Sequence, residues 1–352
     1  MTPHRRHARR CLAISAAILV ILAGLPAPLV MPFFHAAASP APPSTGALPL
    51  TPVTVGYAAI SASQAGAWVA KEEGLFAKNG LDVTLTSIPG GSSPTAALLS
   101  GKIQALQISV EAIEAGLGGA DIVYVAAPLS VPIFSFVTLP SITDPQQLRG
   151  QKVAMTGFGT ATYYAAVIAL RHFGLDPFKD VVLVRTGSLP AMVVALNSGQ
   201  VQGAALSMPT LAQATAAGMR VLVNVADLGS KYPSSWLAVR RKTIETRRAD
   251  VLALVRSITE AIAFEIKDPA ETQRIIGIYT KTTDPALLKE TYDTLVPYLN
   301  KVPTPKAEQV GTALELIALD NPKAKGADPT KFVDPSFVQE LEKAGFIDSL
   351  YR

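Results

Sequence analysis

Cysteine and histidine are the residues that this sequence has least of. Its 352 residues include one cysteine, Cys11, and four histidines, of which only His172 lies beyond residue 38. A disulfide needs two cysteines, and metal sites and nucleophilic catalysis need thiolates, several imidazoles or paired carboxylates. The sequence beyond residue 38 therefore predicts no disulfide, no metal site and no catalytic residues.

An excess of positive charge is absent once the amino terminus is set aside. The first 38 residues hold four of the 31 lysines and arginines and none of the 27 acidic residues, so the remainder has a formal net charge of zero. The sequence pI of about 9.0 thus belongs largely to the amino terminus. We expect no basic surface of the kind that binds nucleic acid.

The amino terminus has the pattern of an export signal. Four arginines between residues 5 and 10 precede an apolar run over residues 11–25, and three alanines end at Ala38. We interpret residues 1–38 as a signal peptide that is removed on export, which predicts a periplasmic or other extracytoplasmic location. An uncleaved membrane anchor stays open, because residues 11–34 carry no charge and a span needs about 20 residues.

Residues 39–52 have a composition of their own. They include five prolines and no charged residue, which is typical of an extended, flexible linker. We therefore expect the folded part of the chain to begin at Val53.

The stretch from Val53 to Val83 predicts the first structural unit. Apolar residues alternate up to Tyr57, a loop of small polar residues follows, and a helix-like run ends at Gly80 before a second extended segment. This is a strand, loop, helix, strand unit of the α/β class. Because ligands bind at the carboxyl ends of strands in open α/β sheets, we expect the loop after Tyr57 to form part of a site.

Later segments repeat this arrangement. Alternating strand and helix patterns predict the first part of lobe 1 over residues 53–135 and lobe 2 over residues 136–230. Residues 231–352 predict a return to lobe 1, with one strand followed by helices. Residues 98–105 and 196–203 share a helix end, a glycine, a β-branched residue and a glutamine at the same spacing, which indicates duplicated lobes.

Several short segments resemble a known family, the ABC-transporter solute-binding proteins of the nitrate, sulfonate and taurine group. The resemblance extends more loosely from about residue 53 to about residue 270. The family usually has aspartate where Gln104 and Gln202 stand. The similar segments are Ser63-Gln64, Trp68-Val69-Ala70, Lys71-Glu72-Glu73-Gly74-Leu75-Phe76 and Gly80-Leu81-Asp82-Val83.

This resemblance implies both a fold and a function. The fold is a bilobal periplasmic-binding-protein fold of type II, in which two α/β lobes are joined by a two-segment hinge, near residues 129–139 and 228–236 in this chain. The function is that of an exported, non-enzymatic monomer that closes over a small organic ligand and delivers it to the permease of an ABC importer. Membrane contact is then expected only through the permease or an uncleaved leader.

The candidate ligand contacts lie mostly in four loops without charge, over residues 58–64, 88–94, 156–163 and 186–190. Loops that lead into helices could bind an anionic oxygen through free N–H groups, although serine and threonine there are also usual helix caps. Glu111, just after a strand, could bind an amine or a ring N–H, or could equally be a solvated glutamate in the first turn of a helix. The candidate ligand-binding residues are Ser63, Gln64, Trp68, Gly91, Ser92, Ser93, Ser109, Glu111, Gly157, Phe158, Gly159, Thr160 and Ser188.

A dinucleotide site is the one cofactor site that the sequence suggests. Gly157 and Gly159 have the spacing of its first two glycines, but Thr162 stands where the third is required. We therefore predict no cofactor.

Two other functions and several ligands stay open. Fungal thiamine-pyrimidine synthases resemble this fold, although they rely on histidine and a cysteine-rich motif that this sequence lacks. A membrane-anchored sensor is the second alternative. A sulfonate or carboxylate suits the helix ends, an amine or N-heterocycle suits Glu111, and a taurine-like zwitterion or a pyrimidine suits both.

Overall fold

The computed structural model describes residues 49–352, which form two α/β lobes. The predicted signal peptide and most of the predicted linker lie outside the described residues. None of the helices within residues 49–352 combines the length and the apolar composition that a membrane span requires.

The strands of the described residues are short. In chain order they are β1 (Thr51–Tyr57), β2 (Leu81–Ser87), β3 (Ala105–Ile108), β4 (Ile122–Leu129), β5 (Ser135–Thr138), β6 (Lys152–Met155), β7 (Val182–Arg185), β8 (Gly203–Leu206), β9 (Arg220–Asn224) and β10 (Ser235–Arg240).

The helices alternate with these strands and then continue alone to the carboxyl terminus. They are α1 (Ala65–Glu72), α2 (Leu75–Lys78), α3 (Ser93–Leu99), α4 (Glu111–Leu117), α5 (Ala161–His172), α6 (Leu189–Asn197), α7 (Thr210–Ala216), α8 (Arg241–Lys267), α9 (Pro269–Thr280), α10 (Pro285–Leu295), α11 (Ala307–Ile317), α12 (Ser336–Lys343) and α13 (Phe346–Ser349).

Each lobe contains a five-stranded sheet with one antiparallel strand inside it. The order is β2-β1-β3-β10-β4 in lobe 1 and β7-β6-β8-β5-β9 in lobe 2. β10 pairs antiparallel with β3 and β4, and β5 pairs antiparallel with β8 and β9. The chain therefore crosses between the lobes twice, through residues 130–134 and 225–234.

Two boundaries differ from those expected from the sequence. β1 begins at Thr51, so two residues assigned to the linker belong to a strand. β5 begins at Ser135 and lies in a segment that was expected to be hinge. A four-residue strand is too short to show a clear alternation, and pairing on both of its edges determines its place.

The two lobes repeat one loop contact. Gln104 Nε2 donates to the Gly101 carbonyl at 3.0 Å, and its Oε1 accepts the Thr54 N–H at 2.8 Å. Gln202 donates to the Gly199 carbonyl at 2.9 Å and accepts an N–H of β6 at 3.1 Å. Both glycines have positive φ, so each closes its helix without side-chain strain. Glutamine therefore bridges this turn in both lobes.

Apolar side chains form three clusters. One lies in lobe 1 and includes residues of α1, α8, α9 and α12, and another lies in lobe 2 and includes residues of α6 and α7. The third contains residues of both sheets together with α3, α4, α5 and α11. The lobes therefore share a core as well as the two crossovers.

Glu265 is an exception in the core of lobe 1. It is 1% exposed, lies beside Gly66 of α1, and has no hydrogen-bond partner for either carboxylate oxygen. Burial raises the pKa of Glu265 from 4.5 to about 8, because the charged form loses its hydration.

We expect Glu265→Gln to change the pH dependence of stability. Between pH 4.5 and about pH 8 the unfolded chain releases this proton while the folded chain retains it, so wild-type stability falls across that window. The variant should therefore gain about 5 kcal/mol relative to wild type at the alkaline end, and little at the acidic end. Urea unfolding at several pH values measures this difference.

Glu315→Gln is the matched control, because Glu315 is exposed on α11. Its stability should follow that of wild type at every pH. An equal gain for Glu265→Gln at both ends of the window would contradict an uncompensated buried carboxyl group.

Candidate functional site

A cavity of about 300 Å³ lies between the lobes and is bounded by loops from both. In lobe 1 these loops follow β1, β2 and β3, and in lobe 2 they follow β6, β7 and β8. This is where ligands bind in open α/β sheets. The lining residues are Ala58, Ala59, Ile60, Ser61, Ser63, Gln64, Pro89, Gly90, Gly91, Pro94, Ser109, Glu111, Phe134, Thr156, Thr160, Ala161, Thr162, Gly187, Ser188, Leu189, Pro190, Ser207 and Ser234.

The two lobes touch at the rim of this cavity. The hydroxyls of Ser61 and Ser207 are 3.0 Å apart, and the Ala62 N–H donates to the Met208 carbonyl at 3.3 Å. Gly90 approaches lobe 2 so closely that an added Cβ would stand 2.9 Å from the Gly187 carbonyl oxygen. The structure is therefore a closed arrangement in which glycine is needed at the rim.

Most hydroxyls in the lobe 2 wall are bonded to one another. Thr156 and Thr162 hydroxyls are 2.9 Å apart, and both lie within 3.1 Å of the Thr160 hydroxyl, which also donates to the Gly157 carbonyl. Ser188 caps α6 by accepting the Ala191 N–H. These side chains fix the shape of the wall, and few of their hydrogen-bonding sites are left for a ligand.

Glu111 is the only charged residue among those that line the cavity, all of which belong to the described range. Its Oε1 accepts the Ala161 N–H at 3.3 Å, and its Oε2 is buried without a partner. Burial raises the pKa of Glu111 to about 7, an effect opposed by N–H groups of Glu111, Ala161 and Ser109 and reinforced by Glu114. A carboxylate of the protein itself therefore occupies the amino terminus of α5, a position where helices can bind an anionic ligand group.

Two buried glutamines lie next to Ser63. Gln64, which is 4% exposed and lines the cavity, donates to the Ser235 hydroxyl at 3.1 Å. Gln107 donates to the same hydroxyl at 2.8 Å and to the Ser63 carbonyl at 3.1 Å. The Oε1 atom of each glutamine has no partner. A buried amide oxygen of this kind costs free energy unless a water or a ligand satisfies it.

A second cavity of about 400 Å³ adjoins the first and shares Gly91 and Glu111 with it. It has a more acidic lining, because Glu114 and Asp320 also face it, and the ring of Phe158 is 64% exposed beside it. Its lining residues are Gly91, Ser92, Thr95, Glu111, Glu114, Ala115, Phe158, Gly159, Asp320 and Asn321.

The structure brings most of the candidate residues together. Ten of them line one of the two cavities, and Gly157 packs against Gly91 across the gap, where an added Cβ would stand 3.5 Å from the Gly91 Cα. The ten are Ser63, Gln64, Gly91, Ser92, Ser109, Glu111, Phe158, Gly159, Thr160 and Ser188.

Trp68 and Ser93 do not line either cavity. Trp68 has no exposed surface and stacks on Tyr279 with ring centroids 4.9 Å apart, so it belongs to the core of lobe 1 rather than to a ligand wall. Ser93 is the first residue of α3. An apolar helical pattern does not distinguish a tryptophan that faces a cleft from one that faces the core.

Sequence reasoning missed Ser207, Ser234 and Gln107. Ser207 follows β8 as Ser109 follows β3, at the same distance from the bridging glutamines of the two lobes. The internal repeat was therefore a signal that could have identified Ser207. Gln107 and Ser234 lie in β3 and in the second crossover, where no local pattern marks them.

Comparison with known proteins identifies a family to which the chain belongs. The sequence model of the NMT1/THI5-like family matches residues 61–272. No curated protein sequence matches the chain at a significant level.

Solved structures with the same fold come from several bacteria. A protein from Bordetella bronchiseptica RB50 has a TM-score of 0.74 at 21% identity, covering 84% of this chain and 98% of its own. The alkanesulfonate-binding protein SsuA from Xanthomonas axonopodis pv. citri, bound to MOPS, has a TM-score of 0.70 at 18% identity, covering 82% and 99%.

The periplasmic nitrate-binding protein NrtA from Synechocystis PCC 6803 has a TM-score of 0.70 at 16% identity, covering 84% of this chain and 89% of its own. Sequence identities this low establish a shared fold but do not identify the ligand. They confirm the bilobal type II periplasmic-binding-protein fold.

We expect Gly90→Ala to keep the lobes apart. The added methyl group would meet the Gly187 carbonyl oxygen, and Gly90 also has a φ of +86°, which costs an alanine about 1–2 kcal/mol. Gly80→Ala is a matched control, because Gly80 has the same φ of +86° and open space around it. Only Gly90→Ala should lengthen the distance between the lobes.

That distance can be measured by pulsed electron paramagnetic resonance in the full chain with Cys11→Ser and spin labels at Asp82→Cys and Val194→Cys. Both label sites are exposed, one on each lobe. Equal distances in the two glycine variants would contradict a rim contact that requires glycine.

Proposed function

Because the chain belongs to the NMT1/THI5-like family, we propose that it is an extracytoplasmic solute-binding protein that captures a small ligand between its lobes and delivers it to an ABC importer. We further propose that the ligand carries at least one N–H donor, as amines, taurine-like zwitterions and amino-substituted N-heterocycles do.

The arrangement of the cleft supports capture and release. The loops that line the cavity come from both lobes, and the crossovers at residues 130–134 and 225–234 are short segments about which the lobes can rotate. When the lobes rotate together, they bury a ligand that contacts both of them. The closed form is then favoured because it binds the ligand better than the open form does.

One observation supports the proposal that the ligand has an N–H donor. Glu111 Oε2 has no hydrogen-bond partner, and no basic side chain lines its cavity. A carboxylate oxygen accepts hydrogen bonds and attracts positive charge. A sulfonate or nitrate alone would place a second negative charge near Glu111 in a cavity that no basic side chain lines; the Arg185 guanidinium lies against Gly91 but is not a lining group. An amine or ring N–H would satisfy the carboxylate directly.

The same cavity favours binding over turnover. Its polar groups are hydroxyls, amides and one carboxyl, and the hydroxyls of its lobe 2 wall are mostly engaged with one another. His172 lies at the end of α5, away from the lining residues. Recovery of an unchanged ligand after incubation, checked by mass spectrometry, separates this function from that of a related pyrimidine-synthase-like enzyme.

We expect a thermal-shift screen to separate amine-bearing compounds from their amine-free partners. Taurine should raise the melting temperature with concentration more than ethanesulfonate does, or 4-aminopyrimidine more than pyrimidine. Glu111→Gln should lower the affinity of the binding compound by roughly 10- to 100-fold, since hydrogen bonds to a charged group contribute about 1.5–3 kcal/mol. Glu315→Gln should leave it unchanged.

A stronger shift with ethanesulfonate than with taurine, or unchanged affinity in Glu111→Gln, would contradict an N–H donor ligand. Chemical conversion of a bound compound would contradict the binding function itself.

We also expect the affinity of such a ligand to rise with pH. Glu111 accepts hydrogen bonds best when ionised, and its pKa of about 7 means that ionisation proceeds from mildly acidic to mildly alkaline pH. Affinity measured by titration calorimetry should therefore increase through neutral pH in wild type. The increase should disappear in Glu111→Gln, and a flat profile in wild type would count against the contact.

A further inference from the structure

Helix α5 of lobe 2 makes polar contacts with two separate parts of lobe 1. The Tyr164 hydroxyl donates to the Glu114 carboxylate on α4, and the Tyr163 hydroxyl donates to the Asp320 carboxylate just after α11. Asn321 donates from Nδ2 to the second oxygen of Glu114 at 3.0 Å. Two tyrosines and two carboxylates thus join the lobes, and the Asn321 amide connects the two lobe 1 segments that carry the acceptors.

The two donors of these contacts are buried, whereas Glu114 is half-buried and Asp320 is exposed. Tyr163 is 1% exposed and Tyr164 is fully buried, and their rings meet edge to face with centroids 4.8 Å apart. Burial and the neighbouring carboxylates raise the pKa of both phenols, so both remain protonated donors. Breaking these bonds would leave two phenol hydroxyls in the interior without an acceptor, which costs free energy.

The amino-terminal end of α11 lies at the hinge, where the Ser130 hydroxyl of the first crossover donates to Gln309 Oε1 at 3.2 Å, whereas Glu114 and Asp320 line the second cavity. Val310 and Ile317 of α11 belong to the same cluster as the α5 side chains. The cluster also contains Phe134 from the first crossover and Tyr232 from the second. α11 therefore packs where both crossovers pass.

The opposite rim is held differently. There the interlobe hydrogen bonds are the contact of Ser61 with Ser207 and that of Ala62 with Met208. They involve two small hydroxyls and backbone groups, which water can replace when the lobes part.

We propose that α11 and the turn at Asp320–Asn321 form a third tie between the lobes, in which Tyr163 and Tyr164 are positioning residues that set the interlobe distance of the closed form. Opening then parts the lobes at the Ser61–Ser207 rim while the tie persists. This tie does not depend on the identity of the ligand.

The test measures interlobe distance by pulsed electron paramagnetic resonance in the full chain carrying Cys11→Ser, Asp82→Cys and Val194→Cys. The double variant Tyr163→Phe and Tyr164→Phe removes only two hydroxyls. We expect a broader distribution, with a severalfold larger population at long distance than in the same chain with both tyrosines.

Tyr292→Phe is the matched control. Its hydroxyl is also bonded in the interior, to the Glu265 carbonyl at 3.0 Å, but both residues belong to lobe 1. It should lower stability without changing the interlobe distance. A distance distribution in the double variant equal to that of wild type and of this control would overturn the proposal.

A second pair of variants tests the tie from the acceptor side and avoids reliance on the tyrosines. Asp320→Asn retains an oxygen that accepts the Tyr163 hydroxyl, whereas Asp320→Leu does not. We expect the first to preserve the wild-type distribution and the second to broaden it. Equal behaviour of these two variants would also overturn the proposal.

Discussion

Each lobe depends on a strand that the chain delivers from the other lobe. β5 completes the sheet of lobe 2 after the chain leaves lobe 1, and β10 completes the sheet of lobe 1 after the chain leaves lobe 2. Both strands are hydrogen-bonded on two edges, and their backbone groups would lack partners without that pairing. The crossovers are therefore anchored at both ends in buried sheets, and rotation between the lobes is confined to the residues between those anchors.

This anchoring determines where the chemistry of the cleft can lie. Strand ends from both sheets open toward one cavity, and short loops bring small residues such as Gly90 and Gly187 into contact. The threonines of the lobe 2 wall satisfy one another, so few polar groups of the cleft are left without a partner. Glu111 Oε2 and the amide oxygen of Gln64 are the clearest of these.

Much of the fold could be predicted because its signals are local. The unit from β1 to β2, the two lobes and the duplicated glycine and glutamine positions are visible in short windows of sequence. Strand β5 could not be predicted in this way, because its place is determined by strands that lie about 70 and 85 residues further along the chain.

The same distinction applies to the site. Loops that follow strands were identified correctly as neighbours, because the carboxyl ends of parallel strands meet at one edge. Trp68 and Phe158 could not be distinguished by pattern, yet one is buried against Tyr279 and the other is largely exposed. Asp320 reaches α5 across about 150 residues of intervening sequence, a contact that only the packed structure reveals.

The apolar cluster that both lobes share has a consequence for how the molecule comes apart. Since α3 and α4 of one lobe and α5 of the other bury their side chains in common, neither lobe retains a complete interior when it is excised. Heat or denaturant should then melt the folded part in a single cooperative transition rather than in two steps. The two halves look like separate bodies joined by a hinge, but thermodynamically they form one folding unit.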